Sequence, residues 1–374
     1  MSLNLEEIFY RFHMTPELSY KEYETTASIK KILGQLNIQI LDSSLLTGVI
    51  ALIPGENHDS PIALRADIDA LPITEQTNLP YKSRNDGVMH ACGHDFHTTA
   101  LLGAADILKD KKLQRDVYLI FQPAEEAPGG ARKVIETGLL KNVKEYFAIH
   151  TSPDHKVGAI GIKKGPVMAA VDKFEIIIKG KGTHAGHPDK GVDPVVVSAA
   201  VIQSAQTIIS RNTDPFEPGL VSITHIEGGN TWNVIPETVY MEGTVRTLSP
   251  DNRQLVKQRL EDIAVHTAKA YSANATVKWY EGPPAVINDT ELVSKAKIAA
   301  KRAGLIAEDT CESLGGEDFS YYLENAKGAF LRIGTGGNYP NHHPAFTADA
   351  QALKKASCFL AWLAIGEKEY EKDF

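Results

Sequence analysis

A chain of 374 residues, 43% hydrophobic and 23% charged with a formal net charge of −8, has the balance of a folded globular protein, and its length favours two domains over one. The negative charge argues against a nucleic-acid partner, and no apolar run approaches the roughly 18 residues of a membrane span. Cys92, Cys311 and Cys358 are too few and too scattered for a disulfide framework, and the start "MSLNLEEIFYRF" lacks the basic opening and apolar stretch of a secretory signal, so a cytoplasmic protein is expected.

In chain order, "LEEIFYRFHMTPELSYKEYETTASIKKILGQL" has apolar residues at helical spacing and predicts two helices broken at Thr15 and Pro16. Then "GVIALIPG", "PIALRADIDALP", "DVYLIFQPAEE" and "EYFAIHT" are short, nearly continuous apolar runs, the pattern of strands covered on both faces. Between them "TTALLGAADILKD" and "GARKVIETGLL" read as helices, so the expected class is α/β: a largely parallel sheet with helices on both faces. From Val171 the order becomes strand "KFEIIIKG", helix "PVVVSAAVIQSAQTIIS", strands "LVSITHIEGG" and "VYMEGTVRTL", helix "RQLVKQRLEDIAVHTAKAYS" and strand "TVKWYEG". That βαββαβ order is ferredoxin-like. Beyond Pro283, helix "ELVSKAKIAAKRAG", a short helix at "DFSYYLEN", strand "GAFLRIGT" and a closing helix "ADAQALKKASCFLAWLAIG" resume the first pattern. The expected domains are a discontinuous one at 1–170 and 283–374 and an inserted one at 171–282.

Ligands of open α/β sheets collect beyond the carboxyl ends of the strands. After "IALRA" come Asp67 and Asp69, after "VYLIFQPA" come Glu125 and Glu126, after "YFAI" comes His150, and after "AFLRIGTGGNYPN" come His342 and His343; "VMHACGHDFHTT" adds Cys92 and His94 just before a helix. Thiolate, imidazole and carboxylate form a borderline-soft set suited to zinc, manganese, cobalt or nickel. Singly, each has an ordinary explanation as a solvated acidic turn or a hydrogen-bonded histidine; placed together at strand ends they predict a metal site. Of two adjacent glutamates, one would hold metal while the other reaches the attacking water as a base. Gly315, Gly316 and Glu317 precede a predicted helix start, where backbone N–H groups are free to bind a carboxylate or hold a loop, and are expected to line the pocket, Glu317 orienting a ligand or substrate.

The ordered stretches "HMTPELSYKEYET", "ALRADIDALPITEQT", "MHACGHDFHTTALLG", "FQPAEEAPGGA", "GKGTHAGHPDKGVDP", "NVIPETVYMEGTVRT", "GGEDFSYYL" and "NHHPAF" span essentially the whole chain. They resemble the metal-dependent amidohydrolases that include bacterial aminoacylases, hippurate hydrolases, auxin-conjugate hydrolases and N-acetyldiaminopimelate deacetylases. The resemblance implies two divalent transition-metal ions held by Cys92, His94, Glu126, His150 and His342, with Cys92 bridging, Glu125 as general base and acid, and Asp69 in support. Asp67, His90 and His97 receive no role, and His343 is the alternative to His342. The inserted domain is implied to be a lid and the contact of a homodimer. Within it His184 matches a histidine that polarises the scissile carbonyl, and Asn233 and Arg246 match positions near a substrate carboxylate, which a guanidinium grips through two parallel hydrogen bonds. The plain alternative for Arg246 is a strand-face salt bridge; His187 reads as a surface residue.

The implied reaction is hydrolysis of an N-acyl, in the first instance N-acetyl, amino acid to a carboxylate and a free amino acid, with N-acetyldiaminopimelate as a particular alternative. Two rivals differ in class. A metal-free thiol hydrolase, with Cys92 as nucleophile and His94 or His97 as its base, leaves Glu126, His150 and His342 unemployed. A protein that only binds metal or peptide has no need of Glu125 beside Glu126.

Overall fold

The computed structural model describes residues 3–365. The chain divides into two compact units: one takes in the chain up to Gly165, Ile287–Cys311 and the chain from Asp318 onward, the other Pro166–Val286 and Glu312–Glu317.

The first unit is built on an eight-stranded sheet in the order Gln39–Ile40, Val49–Ile53, Arg115–Gln122, Asn57–Asp67, Glu145–Ser152, Lys327–Gly334, Ala159–Gly161, Ile306–Glu308. Its centre, from Arg115–Gln122 to Lys327–Gly334, is parallel. Val49–Ile53 joins this centre antiparallel on one side and Ala159–Gly161 on the other, so the sheet is mixed around a parallel core. "GVIALIPG" gave no warning of its direction, because a run buried on both faces looks the same either way round. The three-residue strands are too short to show any period and were not predicted.

Ile62, Leu64, Val117, Leu119, Phe147, Ile149 and Leu331 form the buried sheet centre, packed with the helices Leu5–Met14, His94–Leu108 and Leu353–Ile365. Each such side chain contributes roughly 1.5–3 kcal/mol by leaving water, so the strand ends stand on a stiff base. His94–Leu108 is buried almost all round, as a helix with apolar or small residues on every face must be. The predicted short helix at "DFSYYLEN" is a 3-10 helix, Asp318–Glu324, and the closing helix begins at Leu353 after a 3-10 turn.

The second unit has a four-stranded antiparallel sheet in the order Gly219–Gly228, Thr238–Thr247, Ala170–Lys179, Asn274–Glu281. Thr238–Thr247 alternates buried and less buried residues, the mark of a sheet with one face on the core. Phe174, Ile176, Ile178, Met241 and Val245 meet Val197 and Val201 of Pro194–Ala205 and Val256 and Leu260 of Pro250–Ala270 in that core. The stretch read as one helix at 194–210 is two, Pro194–Ala205 and Thr207–Arg211.

Candidate metal centre

The parallel strands deliver the polar residues of the first unit to one place. Asn57–Asp67 ends in Asp67, with Asp69 just beyond; Arg115–Gln122 leads to Glu125 and Glu126; Glu145–Ser152 carries His150 near its end. Cys92 and His94 flank Gly93, the N-cap of His94–Leu108, at φ 84°. A Cβ there would lie 2.6 Å from the Thr151 side chain, so both conformation and space require glycine in the turn that presents Cys92 beside His94.

Ligand-capable atoms of Cys92, His94 and His150 lie within 4.8 Å of one another, and so do those of Cys92, Glu126 and His342. Cys92 is common to both groups. Its Sγ is 3.4 Å from His150 Nε2, and His342 Nε2 is 3.0 Å from Glu126 Oε1. The His342 N–H donates to the Ala91 carbonyl at 2.8 Å, tying the two loops together. His343 instead stacks on Tyr339, ring centroids 4.3 Å apart, and accepts from the Ala345 N–H. The cluster therefore gathers His342 and not His343.

Bonds to the outer ring nitrogens fix which lone pairs face inward. His94 Nδ1 lies 3.2 Å from Asp69 Oδ1, which leaves Nε2 buried and without a hydrogen-bond partner. His150 Nδ1 donates to the Thr151 carbonyl at 2.8 Å, leaving Nε2 toward Cys92. Outer bonds of this kind orient imidazole ligands. His97 differs: Nδ1 pairs with Asp67 Oδ1 at 2.5 Å and Nε2 accepts from the Thr151 N–H at 2.8 Å, so no lone pair remains.

Asp69 also sets the two glutamates. It accepts from the Glu125 N–H at 3.1 Å, the Glu126 N–H at 3.0 Å and the Ser19 hydroxyl at 2.7 Å. Buried Glu22 accepts from the Ala124 N–H at 2.8 Å, so this backbone is held from two sides while its successive side chains diverge.

The donor set fits a transition-metal cation. One thiol, three imidazoles and a carboxylate converge, and the orphaned His94 Nε2 is a buried acceptor in need of a partner. Burial and neighbouring charges pull the ionisable groups of the cluster in different directions. Burial alone would lower His94, but Asp67, Asp69 and Cys92 together outweigh it and hold the ring well above its ordinary pKa. Bonds to Cys92 and Glu126 lift His342 to about 10, while burial pushes the Cys92 thiol up and drives His150 well down. Thiol and imidazole ligands bind metal in their deprotonated forms, so affinity at such a cluster depends on pH.

Behind the cluster, wholly buried Arg65 donates to Asp67 at 2.6 Å, Gln122 at 3.0 Å and Asp318 at 3.0 Å. Burial pushes the Asp318 carboxyl up to about 6 against the pull of Arg65. Sequence reasoning selected Glu317 and passed over Asp318; nothing in the spacing separates them, since the buried arginine that distinguishes Asp318 is remote in sequence. Asp67, left without a role, links Arg65 to His97. The i,i+3 spacing of His94 and His97 was the one signal that could have found His97. The Gly315 N–H donates to Ser313 Oγ at 3.0 Å and so holds the loop that leads into the short 3-10 segment Asp318–Glu324. Glu317 is buried.

In the second unit, Thr183–His184 pairs with Val234–Ile235, and the Ala185 N–H donates to the Asn233 carbonyl at 3.0 Å, so His184 and Asn233 share one exposed ribbon. His184 Nδ1 accepts from the Gly186 N–H at 2.9 Å, which places the proton of the neutral ring on Nε2. His187 is exposed beside it. Arg246 lies on Thr238–Thr247, half-buried, donating to Thr244 and to the Val245 carbonyl; among the described residues no carboxylate forms the salt bridge that was its plain alternative.

Fold and donor set together define a metal-dependent amidohydrolase. The chain matches the model of peptidase family M20/M25/M40 over residues 63–364 and belongs to that family. It is 51% identical over 350 residues to an N-acetyl-L-cysteine deacetylase of Bacillus subtilis strain 168, covering 93% of this chain and 84% of that one. A second protein of that strain, an N-acetylcysteine deacetylase, is 48% identical over 356 residues, 94% of each chain. The crystal structure of the Bacillus subtilis YXEP protein, a dinuclear metal-binding peptidase of the M20 family, matches with a TM-score of 0.89 and 45% identity over 96% of both chains. Metal-dependent hydrolysis therefore displaces the thiol-hydrolase and binding-only readings.

Proposed function

We propose that the protein cleaves the amide bond of an N-acetyl amino acid, releasing acetate and the free amino acid, with N-acetylcysteine as the first substrate to try. The observation that carries the reading is the grip of Asp69 on adjacent glutamates, of which Glu126 lies in the cluster with Cys92 and His342 while Glu125 stands outside it yet close to His94. Hydrolysis by an activated water needs such a second acid. The relatives' names point to the same bond, since both are deacetylases of an N-acetyl amino acid.

Cys92, His94, Glu126, His150 and His342 would hold two divalent ions with Cys92 shared. When bound, these ions supply Lewis acidity, which acidifies a water and polarises a carbonyl. Glu125 takes the proton of the attacking water and hands it to the departing amine nitrogen. His184 donates its Nε2 proton in a hydrogen bond to the carbonyl oxygen as negative charge gathers there. Arg246 and Asn233 receive the carboxylate of the amino acid, a role supported by the lack of a carboxylate paired with Arg246 among the described residues, and Glu317 orients a ligand or the substrate. The same proposal makes the inserted unit a lid and the contact of a homodimer, and the compartment the cytoplasm. No described helix is long and apolar enough to cross a membrane.

The test is amine release from a panel of N-acyl amino acids by protein loaded separately with zinc, manganese, cobalt and nickel. Cleavage of N-acetyl substrates, abolished by a chelator and restored by metal, is the expected outcome. No release from any member with any metal sinks the proposal, and full turnover by stripped protein returns Cys92 to the part of nucleophile.

A further inference from the structure

Thr151 follows His150 on the strand Glu145–Ser152, is 2% exposed, and has all of its polar groups committed. Its carbonyl accepts from His150 Nδ1 at 2.8 Å and so decides which nitrogen of that ring points at Cys92. Its hydroxyl donates to the Cys92 carbonyl at 2.7 Å and accepts from Asn341 Nδ2 at 3.2 Å. Its N–H donates to His97, which Asp67 and Arg65 hold from behind.

Asn341 closes the circuit. It immediately precedes His342, and its Nδ2 also reaches the Cys92 carbonyl, at 3.2 Å. The segments bearing Cys92, His150 and His342 come from three distant parts of the chain, and in the bonds just described they meet at one hydroxyl. The absent side chain of Gly93 leaves the space that this hydroxyl occupies.

We propose that Thr151, seconded by Asn341, is the positioning residue of the metal centre: its hydroxyl and carbonyl set the spacing of Cys92, His150 and His342 and thereby the affinity for metal. Neither residue is itself a ligand. The inference rests on the ligand assignment of the proposed function.

Cobalt(II) alone is the probe, titrated into metal-free protein against a competing chromophoric chelator, with the thiolate-to-cobalt charge-transfer band followed in the same samples. Thr151→Val keeps the shape and deletes the hydroxyl; it is expected to weaken cobalt binding about 10- to 100-fold and to diminish the band. The Tm of its metal-free form should stay within a few degrees of the parent, which separates positioning from a merely structural role. Thr151→Ser, which restores the hydroxyl, should recover most of the affinity. Asn341→Ala, in a half-buried loop, should lose affinity in the same direction and decides the matter if Thr151→Val does not fold. Parent-like cobalt binding by Thr151→Val, or by Asn341→Ala in its place, overturns the proposal, as does a Thr151→Ser protein no better than the valine variant. Cys92→Ser separates the two levels of inference. If it keeps the parent spectrum, the ligand assignment fails and Thr151 with it; if it loses the band while Thr151→Val keeps it, only the positioning role fails.

Discussion

The cluster of the first unit and the ribbon of the second hold histidines in opposite ways. His94 is buried and His150 half-buried, and each is bonded on its outer nitrogen, to Asp69 and to the Thr151 carbonyl, so that Nε2 of each is aimed into the cluster. The His184 side chain is exposed and, among the described residues, hydrogen-bonded only within its own turn, and Arg246 has no acidic partner among them. The difference fits the proposed roles: ligands fixed in advance suit a resident cation, whereas groups with unspent hydrogen-bonding capacity suit a substrate that must come and go.

The sharpest way to break this division lies at Glu125. Glu125→Gln should lower kcat by about 10²- to 10⁴-fold while elemental analysis finds the metal content unchanged. Parent-like turnover would remove Glu125 as the base, and loss of metal would place it among the ligands. Next in size, His184→Ala should cost about 10²- to 10³-fold in kcat with the affinity for metal untouched, because none of its bonds reaches the cluster. If that substitution shifts metal affinity, the two regions are not independent.

A smaller effect sharpens the comparison from the stability side. His13 Nδ1 lies 2.6 Å from Asp95 Oδ2 and Nε2 3.4 Å from Glu75 Oε1, bracing the helix that begins with His94. Burial opposes the charge, but the two carboxylates prevail and raise His13 to about 9. A raised pKa means that folding favours the protonated ring: its contribution is complete below about pH 6.5 and is lost as pH climbs through 9, at most about 3 kcal/mol. Urea midpoints of the parent should fall from pH 7 to 10, and His13→Gln should flatten that slope. An equally steep slope in the variant would assign the loss to other groups.

Much of this was legible in the sequence, for a physical reason. Strands buried on both faces must be apolar throughout, so "PIALRADIDALP" and "EYFAIHT" announce themselves, and whatever polar residue follows them stands at the rim where ligands gather. Glu126, His150 and His342 stand out that way, Cys92 and His94 by their crowding just before a helix, and the set as a whole by resemblance to a family; the structure brings them together. What stayed hidden depends on pairing across the sheet. The direction of Val49–Ile53 is set by its neighbour, and Asp318 matters because Arg65 lies opposite it. Thr151 and Asn341 look like any threonine and asparagine, since hydrogen bonds between distant segments leave no period in a sequence.

Asp69 holds Glu125 and Glu126 by their main-chain N–H groups, so the Glu125 carboxyl can be exchanged without loosening its neighbour. The Glu125→Gln protein is thereby a snare: loaded with metal, steeped in a cell extract and lifted out on a resin, it should come away carrying the acyl amino acid that the living cell feeds it, ready to be weighed in a mass spectrometer.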